Sequence, residues 1–269
     1  KEKFKNSWIS ERNFNQDSSI NIIPIVEWQN FINYRALYYF TEALQKNENV
    51  GLQEFSGNEN TLYERLSHNP KLEVIYQNAM ESISRMSNRM LQKYMDFSRY
   101  KFMVDMGGGK GENLIAIARY NPNLRGCVFD LASVCKWADA RIRESGLAER
   151  LSTCSGNCFE DPFPKEADCI LFGHFFNLWS EVDNKQLLRK AFEALPTGGS
   201  VIVFNLMQDD SGTGPLTAVI GSSYFLTLAT GRGMIYTWSE HERWIREAGF
   251  AKVSRIIMLR DHGVIIGTK

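Results

Sequence analysis

Residues 102–111 read FMVDMGGGKG, an apolar run that ends on Asp105 and gives way to Gly107, Gly108, Gly109 and Gly111. Glycine gathers where φ must turn positive or where a ligand must lie against the main chain, because each one costs backbone entropy on folding. The residues that follow, ENLIAIARY, repeat apolar side chains at helical spacing, so the stretch predicts a strand, a tight loop and a helix N-terminus in succession. A carboxylate at the strand end is placed to accept hydrogen bonds from a ligand's ammonium or hydroxyls. Such a loop suits a polar, mostly neutral ligand.

Three readings of the loop compete. A phosphate-binding GxxxxGK must be followed by Ser or Thr, and Lys110 is followed by Gly111, which excludes it. A dinucleotide GxGxxG counted from Gly107 puts Glu112 where the third glycine belongs, and a carboxylate there repels a pyrophosphate. What remains is an acid followed by GxGxG. Nineteen residues after Gly111 a second apolar run, RGCVFDL, reaches Asp130, an acid placed to take a ribose diol.

VDMGGGKG followed by VFDL resembles the cofactor site of class I S-adenosylmethionine-dependent methyltransferases. More narrowly, it is similar to the small-molecule O-methyltransferases of plants and bacteria, which carry DxGGGxG and an FDLP-like second acid. The similarity runs from about residue 20 to the C-terminus. It implies an α/β, Rossmann-like fold: a mostly parallel sheet with an antiparallel C-terminal hairpin, preceded by an α-helical cap. It implies S-adenosylmethionine as cofactor and S-adenosylhomocysteine as product, held by Asp105, Gly107, Gly109, Gly111, Asp130 and Leu131.

The order of the chain agrees with that fold. Residues 1–20 are rich in Asn and Ser and read as a linker or loose arm, and 21–100 as a helical cap and substrate-lining region. From 101 to 269, strands alternate with helices in the βαβ manner of a parallel sheet, as an S-adenosylmethionine-binding catalytic domain requires. At the end, Arg260, Asp261, His262 and Gly263 read as the turn of a hairpin. Met80, Met86, Met90 and Met95 recur on one helical face, which reads as core filler or as the lining of an aromatic pocket. By resemblance, AMESIS places Met80 against the substrate and Ser84 at the cofactor carboxylate.

Composition excludes other classes. With 31 basic and 31 acidic residues there is no net charge to recruit nucleic acid or an acidic membrane surface. No apolar run approaches the length of a membrane span, and the N-terminus is not a signal peptide. The five cysteines are odd in number and contain no CxxC pair, which points to reduced thiols and a cytoplasmic setting. No two histidines stand at metal-ligand spacing, so no metal is expected. Members of the resembled family usually begin with a winged-helix dimerisation domain, to which nothing here corresponds. A natural core-only form, a trimmed chain and a domain of a multienzyme all fit.

The catalytic residues are the unusual part. In the resembled family a GDMF-like stretch supplies an acid to the adenine amino group; here SGNCFEDPF offers Asn157, whose amide oxygen still accepts, followed by Cys158 and Phe159. A simple turn is the other reading of that stretch. The family's base is the His of an HDW tripeptide, and this chain reads Asn177, Leu178, Trp179 in its place. The supporting acid falls at Asn205 and a second family acid near Ile235, so the usual His–Glu machinery is absent. If 174–179 is helical, His174 shares a face with Asn177 and is the replacement base, with Asn177 orienting the acceptor. The alternative is that His174 only hydrogen-bonds the cofactor or the strand end. Trp179 is expected against adenine. His68 and His241 are expected to be solvated, and His262 to cap the hairpin.

The apolar stretch 215–237 reads as a pocket wall, with Tyr224, Phe225, Tyr236 and Arg232 shaping a flat acceptor and Arg232 meeting a carboxylate. Equally it reads as a subunit interface, which the family often makes here, so a homodimer is among the expectations. The reading is a methyltransferase acting on a hydroxyl of a small aromatic or polyketide-like secondary metabolite. Its rivals are C-methylating or non-methylating chemistry on the same cofactor, or a silent domain of a multienzyme.

Overall fold

Strand β1 (Phe102–Met106) carries the apolar run that precedes the glycines, and the sheet is built outward from it. The structure, a computed structural model, describes residues 4–18, 20–259 and 261–269. The remaining strands are β2 (Arg125–Asp130), β3 (Leu151–Ser155), β4 (Cys169–Gly173), β5 (Ser200–Leu206), β6 (Lys252–Ile257) and β7 (His262–Thr268). They form a seven-stranded sheet in the order β3-β2-β1-β4-β5-β7-β6. β1 to β5 run parallel, and β7 lies antiparallel between β5 and β6. Arg260, within the expected hairpin turn, lies outside the described residues.

Runs such as Val104, Asp105 and Met106 in β1 and Cys169–Phe172 in β4 are buried throughout, because helices cover both faces of the parallel part. The helices before the sheet are α1 (Trp8–Asn13), α2 (Ile23–Trp28), α3 (Tyr34–Ala36), α4 (Phe40–Lys46), α5 (Leu62–Leu66) and α6 (Pro70–Tyr94). Those within it are α7 (Glu112–Tyr120), α8 (Ala132–Glu144), α9 (Glu181–Ala194), α10 (Leu216–Tyr224) and α11 (Trp238–Glu247). Short π-helical segments at Gln29–Asn33 and Phe225–Ala229 interrupt the cap and follow α10. The strand order reverses between β1 and β4, and ligands of such sheets lie beyond the carboxyl ends at that point.

Two local differences from the sequence reading have plain causes. The N-terminal stretch is not wholly irregular: Ser7 caps α1 by accepting the Ser10 N–H, although α1 buries no residue. Residues 1–3 and 19 of the expected arm lie outside the described residues. The long α6 starts on Asn69, whose side chain accepts the Leu72 N–H, with Pro70 in the first turn. Its buried positions include Gln77, Ser82, Ser87 and Asn88, so α6 docks partly through polar contacts. Asn88 donates to the Glu112 carbonyl at 3.1 Å and Gln92 to the Ala116 carbonyl at 2.9 Å, which lays α6 along α7. Met95 is buried beside Leu91 while Met80 and Met86 stay half-buried, so the methionine face is core at one end only.

Candidate active site

The glycine loop is held in shape by main-chain contacts. Gly107 has φ 63° and donates to the Phe129 carbonyl at 2.8 Å. A Cβ there would stand 2.2 Å from the Phe175 ring, so this position needs glycine for space as well as for its left-handed backbone. Gly109, at φ 56°, donates to Asp130 Oδ2 at 2.9 Å. The other oxygen of Asp130 accepts the Leu131 N–H at 2.8 Å. Burial raises the Asp130 carboxyl above its ordinary range, against the pull of those two N–H groups. Each oxygen keeps a lone pair for a ligand hydroxyl. Gly111, at φ 81°, is the residue from which α7 starts.

Asp105 is fully buried, and neither carboxylate oxygen has a hydrogen-bond partner. Burial raises it to about 7, although the Leu114 N–H and Asn113 amide nearby favour its charged form. An unpaired carboxylate in the interior is costly unless a ligand cation or donor completes it. Beside the loop, Phe159 and Trp179 meet edge to face with ring centres 4.8 Å apart, and Leu131 is 42% exposed. Trp179 Nε1 is buried without a partner. Asn157 does form a turn: its Oδ1 accepts the Phe159 N–H at 3.0 Å, and its own N–H donates to Asp161. That oxygen retains one lone pair, and Cys158 beside it is half-buried.

Beyond β4 the expected helix over 174–179 is not formed. His174 has φ 55°, and only Phe176–Leu178 makes a turn of 3₁₀ helix, so no helical stagger aligns His174 with Asn177. The His174 ring instead stands edge-on to Phe204 and meets His262, Nε2 to Nε2, at 3.1 Å. His262 closes the hairpin through its main chain, bonding Met258 and Leu259, while its side chain reaches His174. Asn177 is 2% exposed with an unpartnered Oδ1, and Asn205 is fully buried with both amide atoms unpartnered. His241, expected in solvent, is fully buried; it shares the inner face of α11 with Trp244 and Ile245, its Nδ1 lying 2.8 Å from the Thr237 carbonyl. His68 remains partly exposed, 2.7 Å from Glu59. Among the described residues no group of three or more His, Cys, Asp or Glu is arranged to hold a metal ion.

A model of the O-methyltransferase domain matches residues 37–251. The chain belongs to this O-methyltransferase family. It is 37% identical over 248 residues to an L-tyrosine C(3)-methyltransferase from Streptomyces lavendulae, covering 91% of this chain and 68% of that one. It is 34% identical over 190 residues to a 3-hydroxy-5-methyl-1-naphthoate 3-O-methyltransferase from Streptomyces sahachiroi, covering 70% of this chain and 54% of that one. Among solved structures, the S-adenosylmethionine-dependent methyltransferase SibL in its apo form is 39% identical, with a TM-score of 0.79 over 91% of this chain and 73% of that one. Human N-acetylserotonin methyltransferase, solved with SAM, gives a TM-score of 0.90 over 98% of this chain and 75% of that one, and at 20% identity it speaks to the fold alone.

In this O-methyltransferase domain, the cap contributes groups that sequence reasoning passed over. The Tyr224 hydroxyl lies 3.5 Å from that of Tyr63, the Tyr63 ring is 5.6 Å from Tyr76, and the Trp28 ring meets Tyr224 edge-on at 5.1 Å. Burial holds all three phenols above their ordinary pKa, so they stay neutral donors. Tyr76 had a signal: it stands one helical turn before Met80 on α6. Tyr63 had none. Met80 and Ser84 lie half-buried on α6. Arg232, expected to meet a substrate carboxylate, pairs with Asp183 at 3.2 Å and lies over Trp179, half exposed. Tyr236 donates to the Trp179 carbonyl at 2.7 Å, which braces the wall from behind.

Proposed function

We propose that the chain transfers a methyl group from S-adenosylmethionine to a hydroxyl of a small aromatic or polyketide-like metabolite, leaving S-adenosylhomocysteine. The observation that carries this reading is the pair of acids around the glycine loop: Asp130 bound to Gly109, and Asp105 buried with no partner of its own. When bound, the cofactor supplies a methyl carbon activated by a sulfonium. Asp105 would complete itself on the ligand's ammonium, Asp130 on the ribose hydroxyls, and Leu131, Phe159 and Trp179 would flank the adenine, with Asn157 accepting from its amino group. Ser84 and Met80 on α6 would close over the other side.

For the acceptor, Asn177 and Asn205 offer buried, unsatisfied amides that would hold and align an oxygen. The His174–His262 pair is our candidate for the proton. Burial lowers His174 to about 3, so it is neutral near pH 7 and weakly basic. Such a base suits the more acidic hydroxyls, phenols and enols, and alignment carries most of the rate. Tyr63, Tyr76 and Tyr224 would line the far side of the acceptor.

A second reading is favoured by one observation: amides stand at both positions where the family places a base and its acid, and the relative first described above is named as a C-methyltransferase. A ring carbon beside a phenol needs its oxygen polarised more than it needs a strong base. Incubating the chain with methyl-labelled cofactor and a panel of phenols, tyrosine and naphthoates included, separates the two by the chemical shift of the labelled methyl. Binding of S-adenosylhomocysteine with no labelled product from any phenol or from an extract of the source organism would count against transfer.

All five cysteines are free, which supports a reducing, cytoplasmic setting, and among the described residues no helix is long and apolar enough to cross a membrane. Exposed Val26, Tyr34 and Tyr38 line one groove on the cap, which supports a homodimer or docking within a multienzyme.

A further inference from the structure

A loop made of glycines has no side chains with which to hold its place against neighbouring elements. Lys110 is the exception within Gly107–Gly111, and its side chain leaves the loop for the cap. Its Nζ donates to Asn78 Oδ1 and to Glu81 Oε2, both at 2.9 Å, and lies 5.6 Å from the centre of the Trp137 ring on α8. The side chains of Lys110 and Glu81 are 13% and 17% exposed, so this is not a solvated surface pair. Burial pushes the Glu81 carboxyl up, but Lys110, with Arg85 and Arg141 behind it, brings it below its ordinary value. Glu81 is therefore ionised, and the contact is a salt bridge.

The bridge lands on α6 between Met80 and Ser84. Asn88 and Gln92 tie α6 to the loop's far end and to α7 beyond it, whereas Lys110 reaches the helix from within the loop. We propose that Lys110 is a positioning residue, whose bridge to Glu81 and Asn78 sets the height of α6 above the glycine loop. It thereby sets the space left for the cofactor between the loop and Ser84. This rests on the cofactor reading given above.

The test is a titration of S-adenosylhomocysteine into the wild-type chain, Lys110→Met, Glu81→Gln, the double variant and Lys110→Arg, with thermal unfolding alongside. Each single loss is expected to weaken binding roughly tenfold, and the double variant by clearly less than the product of the two, because both remove the Lys110–Glu81 bridge while Lys110→Met also loses Asn78 and Glu81→Gln the charge facing Arg85. Lys110→Arg, which keeps the charge and its donors, is expected to recover most of the affinity. Gln92→Leu, which removes an α6 tie outside the loop, is expected to lower the unfolding temperature and leave the affinity unchanged. Wild-type binding with unaltered affinity in Lys110→Met overturns the proposal alone. So does multiplication of the two single effects in the double variant, or a loss in Gln92→Leu equal to that in Lys110→Met. Failure of the wild-type chain to bind overturns the cofactor reading and this one with it.

Discussion

The Nε2 atoms of His174 and His262 lie 3.1 Å apart, a hydrogen-bond distance at which either ring donates according to its tautomer. The contact joins the end of β4 to the start of β7, at the edge of the sheet where the glycine loop also ends. His174 reaches it only by adopting φ 55°, a left-handed backbone that costs a non-glycine residue about 1–2 kcal/mol. This strained residue, held against a second histidine with unsatisfied amide atoms of Asn177 and Asn205 on neighbouring segments, is the arrangement on which the proposed acceptor site rests.

His174→Gln keeps a side chain able to bond His262 but unable to accept a proton. On a hydroxyl acceptor, turnover is expected to fall by about 10²-fold with the unfolding temperature nearly unchanged. Initial rates at saturating cofactor check this, and unaltered turnover would remove His174 as the base.

Stability is expected to fall as acid is added below neutrality. Burial, with His262 second, lowers His174 from 6.5 to about 3, and burial lowers His241 from 6.5 to about 4. Between about 4 and 6.5 the unfolded chain takes up protons that the folded chain refuses, so each step down in pH favours unfolding. His241→Phe, at a ring that lies parallel to Phe176 and tilted against Trp244, is expected to flatten the dependence in unfolding curves taken across that range.

Asp105 works in the opposite sense. Its folded value of about 7 lies above the ordinary 3.8, so its contribution is lost as pH rises between those values, where the buried carboxyl must ionise. Asp105→Asn is expected to raise the unfolding temperature of the ligand-free chain at about pH 8. A cationic ligand group reverses this: affinity for S-adenosylhomocysteine is expected to rise with pH through about 7 in the wild type, and to be weaker and flat in Asp105→Asn. Calorimetric titration on either side of neutrality reads the difference.

Asn205→Leu should separate stability from activity. Both of its amide atoms are buried without partners, and an apolar side chain of similar shape relieves a desolvation penalty of roughly 1–3 kcal/mol. A higher unfolding temperature with turnover reduced at least tenfold is the expected pair of results. A loss of stability would mean that the amide is satisfied within the chain.

Gly109→Ala and Gly107→Ala distinguish strain from space. A Cβ at Gly109 meets nothing within 4 Å, so only the left-handed backbone is penalised, by about 1–2 kcal/mol. At Gly107 the same change also drives into the Phe175 ring. Urea unfolding is expected to rank Gly107→Ala clearly below Gly109→Ala, and equal midpoints would contradict the packing of Phe175 on the loop.

The cofactor half of the site was legible because it is local. Strand, loop and helix around Asp105, and the second acid Asp130, are set by hydrophobic period and by residues within a few positions of one another. The same holds for the alternation of strands and helices, and for the terminal hairpin that the sheet topology bears out. A strand that must be buried on both faces, followed by a turn only glycine can make, leaves the chain few alternatives.

The acceptor half was decided by tertiary structure. His174 lies 88 residues from His262 and Tyr63 lies 161 residues from Tyr224, and even at the cofactor loop Lys110 meets Glu81 29 residues away. No period or spacing encodes such pairs. His241 looked solvated at the start of a helix and is interior because α11 turns that face inward with Trp244 and Ile245. Arg232 looked free for a substrate and is paired because the chain after the Phe225–Ala229 segment folds back over Trp179 and Asp183. Sequence determines which segments become strand, loop and helix, since those depend on neighbours in the chain. Which polar groups are left unsatisfied in the interior, and so available to a substrate, depends on partners that only the folded chain brings together.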